Sequence, residues 1–159
     1  LLELELKAEH EALNRALSDL LRASSDWRPA WEGIEHIFYA AEKRLFESEG
    51  ASGGERWKPL SAAYARWKRL RFPGRPILVR TGSLKRSLIG RSSSFAIHEA
   101  TEDSLTLGTS HPAARYHQRT RPAIQLTPSD VMRMKRRMLQ RMMTVGAQSG
   151  FKTVGEAGI

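Results

Sequence analysis

From Arg56 to Arg91 the chain carries eleven Lys and Arg side chains and no Asp or Glu. Like charge at that density repels itself unless something negative faces it, so the run restricts both where its residues can sit and what they can meet. A nucleic acid, an acidic partner, or an acidic part of the same molecule would each serve. Residues 1–55 have a net charge of −6, residues 56–91 of +11 and residues 92–159 of +4, within the total of +9. The chain is therefore polarised along its length. A nucleic-acid binder needs only the positive part, whereas a protein that stacks on copies of itself could set an acidic surface against a basic one.

A length of 159 residues predicts one domain with a real core. With 40% hydrophobic and 27% charged residues it reads as globular. There is no cysteine, which excludes a disulfide framework and thiolate chemistry and fits a reducing compartment or an assembly held by packing. No apolar run approaches the roughly 20 residues of a membrane helix, and no secretory signal is visible. The chain opens at Leu1 instead of a methionine, so further residues are expected upstream.

Periodicity predicts an α+β fold, with N-terminal helices, a small antiparallel sheet packed with helices, and a C-terminal helix. Leu2, Leu6, Leu13, Leu17, Leu20 and Leu21 form one stripe of a helix ending near Ala23, with Glu3, Glu5, Glu9, Glu11 and Asp19 largely off it. The stripe is expected to pack in the core; a helix contact between subunits is the alternative. A second helix should begin near Trp27 or Pro29, capped by Asp26 or Ser25, and bury Trp31, Ile34, Phe38, Ala41 and Leu45. Gly50 to Gly54 reads as a flexible break. Leu60 to Leu70 is a short basic helix with Ser61 as its cap. Ile77–Val79 and Ile124–Leu126 read as short strands, Ser83–Ile89 and Pro112–Gln118 as helical turns, and Phe95–Glu99 with Leu105–Gly108 as a hairpin. Thr127-Pro128-Ser129-Asp130 holds the elements of a capping box opening a helix to about Val145. Three regions follow: an N-terminal helical hairpin or arm over 1–53, an α+β core over 54–145, and a loose tail over 146–159.

These residues compose no recognisable active site. Ser83 or Ser87 as a nucleophile would need a base and an orienting acid, and residues 56–91 supply neither. His111 and His117 are too few and too widely spaced to suggest a metal centre. His117 is expected to pack or hydrogen-bond in a turn, and His98 to be half-exposed. There is no phosphate-binding glycine loop, so no cofactor is expected. Trp57, Tyr64 and Trp67 among basic residues could stack bases. Their spacing of Trp57, Leu60, Tyr64 and Trp67 is that of a buried helix face, so both tryptophans are assigned to the core and Lys58, Arg66, Lys68, Arg69 and Arg71 to solvent or a partner. The methionines of the last helix are read as core filler.

Five short segments follow one another along the chain: Gly54-Glu55-Arg56-Trp57-Lys58-Pro59-Leu60-Ser61, the stretch from Ile77 through Thr81-Gly82-Ser83-Leu84 to Ser87-Leu88, Leu107-Gly108-Thr109, Ala114-Arg115-Tyr116-His117-Gln118, and Pro122-Ala123 followed by Leu126-Thr127-Pro128-Ser129-Asp130. Taken in this order they resemble the phage virion morphogenesis family. The resemblance covers about Gly54 to Met138 and leaves out the N-terminal helices. It departs from the family pattern after His117-Gln118, where Arg119-Thr120-Arg121 replaces the usual glycine, and at Pro122-Ala123-Ile124, a reduced closing element.

The resemblance implies a non-enzymatic structural role: a tail-completion or neck subunit of the virion, assembled in the host cytoplasm. It further implies a homohexameric ring at the head-proximal end of the tail, touching tail-tube or terminator and head-connector proteins, with no membrane partner. Lys58, Arg66, Lys68, Arg69, Arg71, Arg75, Arg80, Lys85, Arg86 and Arg91 would then face either a subunit interface or genomic DNA in the channel. Non-sequence-specific nucleic-acid binding is the alternative function.

Overall fold

The computed structural model describes residues 25–148 continuously and, before them, residues 14, 15, 17–19, 21 and 22. Helix α1 spans Arg28–Glu47, α2 Ala62–Arg71, α3 Ser83–Leu88, α4 Pro112–His117 and α5 Pro128–Gln148; strands β1, Ala96–Ala100, and β2, Leu105–Thr109, form the hairpin. The architecture is α+β, as expected.

Pro29 sits in the first turn of α1, where its missing N–H costs nothing, and Asp26 accepts a hydrogen bond from the Arg28 N–H. The apolar repeat then buries Trp31, Ile34, Phe38, Ala41, Leu45 and Phe46. Along this face α1 packs against α5. The core cluster joins Phe38, Leu45 and Phe46 of α1 to Trp57, Val79, Leu84, Leu88, Ala114 and Ala123. Two strands alone are marginal in water. This pair, registered Ala96 opposite Thr109 and Ala100 opposite Leu105, is held at its turn, where the Thr101 carbonyl accepts from Trp31 Nε1 at 2.8 Å and the Glu102 carbonyl from the Trp27 N–H.

The cap of α5 forms as its sequence predicts. Thr127 Oγ1 accepts from the Asp130 N–H at 3.1 Å, and Asp130 Oδ2 accepts from the Thr127 N–H at 3.1 Å. Asp130 is buried and also pairs with Arg44 and Arg133. Burial pushes its carboxyl up, but the bonds from Thr127 and Arg133 and the charge of Arg44 together hold it below its ordinary value.

Several expectations are overturned. The glycine segment after α1 is an ordered turn, Ala51–Gly53. Gly50 has φ +94°, and a Cβ there would lie 2.6 Å from Trp57 Cδ1, so the glycine is needed for both backbone and contact. Neither Ile77–Val79 nor Ile124–Leu126 is a strand. Their backbone groups are taken elsewhere: the Ile77 N–H donates to Glu49 Oε1 at 2.9 Å, the Gln125 N–H to Glu42 Oε1 at 3.3 Å, and the Ile124 carbonyl accepts from Gln118 Nε2 at 3.0 Å. The last helix runs on to Gln148, into the segment read as tail. Its methionines are not uniformly core: Met134 packs against the cluster, while Met132, Met142 and Met143, with Val131 and Leu139, are exposed. The leucine stripe lies mostly outside the described residues; its described members Leu17 and Leu21 are helical and exposed.

Glu42 is the buried group that ionisation would disturb most. It is fully buried, and desolvation raises its pKa to about 8 against the opposing hydrogen bond from Gln125. The folded chain therefore keeps a proton that the unfolded chain releases above the ordinary glutamate value. Stability falls as pH rises across that window and levels off above about 8. The Glu42→Gln substitution keeps the neutral shape. Thermal denaturation should find the variant close to the parent at pH ~5 and more stable at pH ~9, by on the order of 1–3 kcal/mol. An equal difference at both pH values would show that the buried carboxyl is ionised in the fold.

Candidate interaction groove

Three of the segments that carry the family resemblance meet in space. Leu60 and Ser61 at the start of α2, the turn from Arg80 to Leu84, and the stretch from His111 to His117 line a groove of about 530 Å³, completed by Tyr64, Lys68, Leu78 and Arg121. Among the described residues no carboxylate lines it.

Its two walls are tied together below α2. Trp57 is 2% exposed, lies edge-on to Phe46 with ring centroids 5.3 Å apart, and donates through Nε1 to the Pro122 carbonyl at 2.9 Å. Arg121 donates to the carbonyls of Lys58 and Pro59 at 2.7 and 2.8 Å. The departure from the family pattern at Arg119-Thr120-Arg121 thus supplies a clamp on the strap leading to α2. Ser61 Oγ caps α2 by accepting from the Tyr64 N–H at 3.4 Å.

Beyond its cap α2 stands away from the core. Lys68 is its one buried residue. The expectation of a solvated Lys68 therefore fails: its Nζ donates to the Pro76 carbonyl, and burial pushes its pKa down against the favourable charge of Glu49. The assignment of Trp57 to the core is right and that of Trp67 is wrong, since Trp67 is 42% exposed. Trp57 belongs to the strap before the helix, so the two indoles do not share a helical face. Trp67 instead stacks on Tyr64 at 5.3 Å and meets Phe72 at 5.8 Å, a row of rings on the outside of the molecule.

The opposite wall carries a serine and a histidine that the sequence does not pair. Gly82, at φ +85°, turns the chain into α3, and Ser83 Oγ lies 2.9 Å from His111 Nε2. His111 Nδ1 accepts from the Ala113 N–H at 3.2 Å, capping α4. That bond uses the Nδ1 lone pair, so in the neutral ring the proton sits on Nε2, which donates to Ser83. His111 in this tautomer has no lone pair with which to take a proton from Ser83, and the pair orients α3 on α4. His117 is half-buried, its pKa lowered by burial and by Arg121, and its Nδ1 has no partner among the described residues. His98, as expected, is part-exposed, with Nε2 3.2 Å from Glu35 Oε2. Among the described residues no three His, Asp or Glu side chains gather as metal ligands, and no helix is long and apolar enough to cross a membrane.

The ten basic residues singled out by charge do not form one surface. Arg91 is itself exposed, but its guanidinium is forked on the buried carboxylate of Glu35. With His98 beside it, Arg91 holds Glu35 below its ordinary range although burial opposes this. Arg86 folds back to the Thr81 carbonyl at 3.3 Å, and Lys85 is half-buried. Lys58, Arg66, Arg69, Arg71, Arg75 and Arg80 are exposed on the strap, on α2 and on the loop that follows it. Part of the basic run therefore meets the acidic N-terminal half of the same chain, and the rest faces outward. Tyr116 and Arg121, which charge counting passed over, belong to the groove; the His117-Gln118 segment was the available signal.

The model of the phage virion morphogenesis family matches residues 8–148, and the chain belongs to that family. Membership reaches further than the segments from Gly54 to Met138, taking in α1 and much of the N-terminal leucine stripe. Its role is in building the phage virion, structural in kind. No curated protein matches the chain, and no solved structure does.

The division of the basic residues is measurable by thermal denaturation. Arg91→Ala leaves the buried Glu35 carboxylate without its guanidinium partner and should lower Tm clearly. Arg69→Ala and Arg75→Ala, at exposed positions, should stay within about 0.5 kcal/mol of the parent. Equal effects at all three would show that the pairing of Arg91 with Glu35 does not support the fold.

Proposed function

We propose that this protein is a tail-completion subunit of a tailed phage, forming a ring at the head-proximal end of the tail and helping to join tail to head. The observation that carries the reading is family membership over residues 8–148. Closed rings need two different surfaces that fit each other head to tail. The chain offers unlike surfaces: an acidic N-terminal part with exposed Leu17, and a groove and outer helix rich in arginine and aromatic rings. A hexamer would match the sixfold symmetry of the tail, with terminator and head-connector proteins as its neighbours. Contacts of this polarity assemble through charge that salt screens.

A second reading rests on one observation, the exposed Tyr64–Trp67 stack with half-buried Phe72 beside it among arginines, a combination that suits non-sequence-specific contact with nucleic acid. In a ring the same face could border DNA passing through the channel.

Light scattering and negative-stain microscopy of the purified chain should find a ring, hexameric by expectation, that loosens as salt is raised. A tag on the protein should mark the head-proximal end of the tail in whole particles. Monomers alone at low salt would overturn the ring, and a tag elsewhere on the particle would overturn the placement. The nucleic-acid reading requires duplex binding that weakens steeply between about 50 and 200 mM salt; no binding at the lower value removes it.

A further inference from the structure

The groove has the chemistry of a socket for an acidic, leucine-bearing segment. Its apolar lining comes from Leu60, Leu78 and Leu84; its exposed cation is Arg80, while Lys68 and Arg121 add positive charge from side chains already hydrogen-bonded to backbone carbonyls. At its edges stand Tyr64 and Tyr116, the latter 82% exposed although its ring is large and aromatic. Tyrosine and arginine around an apolar pocket is the composition of an interface hot spot. A phosphate backbone would use the positive charge but leave the leucine lining unmatched, whereas an aliphatic side chain flanked by carboxylates would use both.

The same chain carries such a segment. Residues 1–22 contain Leu2, Leu6, Leu13, Leu17, Leu20 and Leu21 together with Glu3, Glu5, Glu9, Glu11 and Asp19. Where this segment is described it is helical, and Leu17 of the stripe is 47% exposed beside the exposed Asp19. Its own molecule therefore leaves part of the stripe uncovered. The outer wall of the groove, α2, is also short of support, since a ten-residue helix is marginal in water and only Lys68 anchors it within its length.

We infer that the groove between α2 and α4 receives the acidic leucine segment, residues 1–22, of a neighbouring copy. The contact joins unlike surfaces, so it propagates head to tail and can close a ring. Tyr116 and Arg80 are the side chains expected to grip the incoming segment, Tyr116 by its ring and Arg80 by its charge. The inference rests on the ring reading above and names the surfaces that would make the ring.

A photocrosslinking benzophenone in place of Tyr116 tests this directly, in full-length chain assembled from equal amounts of isotopically heavy and light protein. Mixed-isotope crosslinks from position 116 into residues 1–22 are expected. Crosslinks confined to one isotope, crosslinks to other parts of the chain, or crosslinks to DNA in whole particles overturn the inference. As a second measurement, Arg80→Glu should weaken assembly by about tenfold or more at unchanged Tm. Adding Glu9→Arg and Glu11→Arg to that variant should restore much of the loss. Full assembly by the Arg80→Glu variant sinks the groove contact and leaves the ring standing. A parent chain that never assembles, seen before any variant is made, sinks the ring itself.

Discussion

Trp57 is the contact on which the rest of the molecule depends. Its indole lies against Phe46 at the end of α1, closes over Gly50, and hands its N–H to the Pro122 carbonyl. One side chain thereby fixes three segments that are far apart in the chain: the exit of α1, the strap into α2, and the loop into α5. Burying a tryptophan removes a large apolar surface from water, and its single donor must find an acceptor. The Pro122 carbonyl supplies it. With Arg121 holding the carbonyls of Lys58 and Pro59 alongside, α2 can leave the core and still present a defined face.

Charge is handled on the same economical plan. Three buried carboxyls are stabilised in three ways. Glu35 takes the fork of Arg91 with His98 beside it, Asp130 completes a helix cap and accepts two arginines, and Glu42 has one backbone hydrogen bond and keeps its proton. The first of these ties one arginine of the basic run to a carboxylate of the fold, although that arginine stays at the surface. What stays outside, on the strap, on α2 and on the following loop, is the positive surface a partner would meet. The polarity seen along the sequence thus becomes partly an internal match and partly an external one.

Assembly proteins need surfaces that are stable alone yet incomplete, and α2 has that character. It is capped and tied at its base, its rings are stacked on one another, and nearly all of it faces water. Pre-stacked rings lose little further freedom when a partner arrives, which lowers the entropic cost of docking. The Ser83–His111 pair serves the groove in a similar way, as an orienting bond between α3 and α4 and not as a source of nucleophile.

The sequence by itself determined whatever depends on near neighbours. The apolar repeat of α1, the Ser61 cap, the hairpin and the Thr127–Asp130 box are set by residues within a few positions of each other, so periodicity and capping rules found them. The order of short segments also carried the family. Only the tertiary structure decided the rest. Ile77–Val79 and Ile124–Leu126 have the residues of strands, but Glu49 and Glu42 reach in from elsewhere to take N–H groups that a sheet would need, and Gln118 takes the Ile124 carbonyl. Trp67 has the spacing of a core residue, but the anchor at Trp57 points α2 outward and leaves that face in water. Lys68 has the look of a surface cation until the Pro76 carbonyl arrives beside it. The groove itself unites segments more than fifty residues apart from Leu60 to His117, and no local pattern encodes that meeting. Backbone hydrogen bonds claimed by distant side chains, and burial set by distant contacts, are long-range effects, which is why they were not legible in the chain read alone.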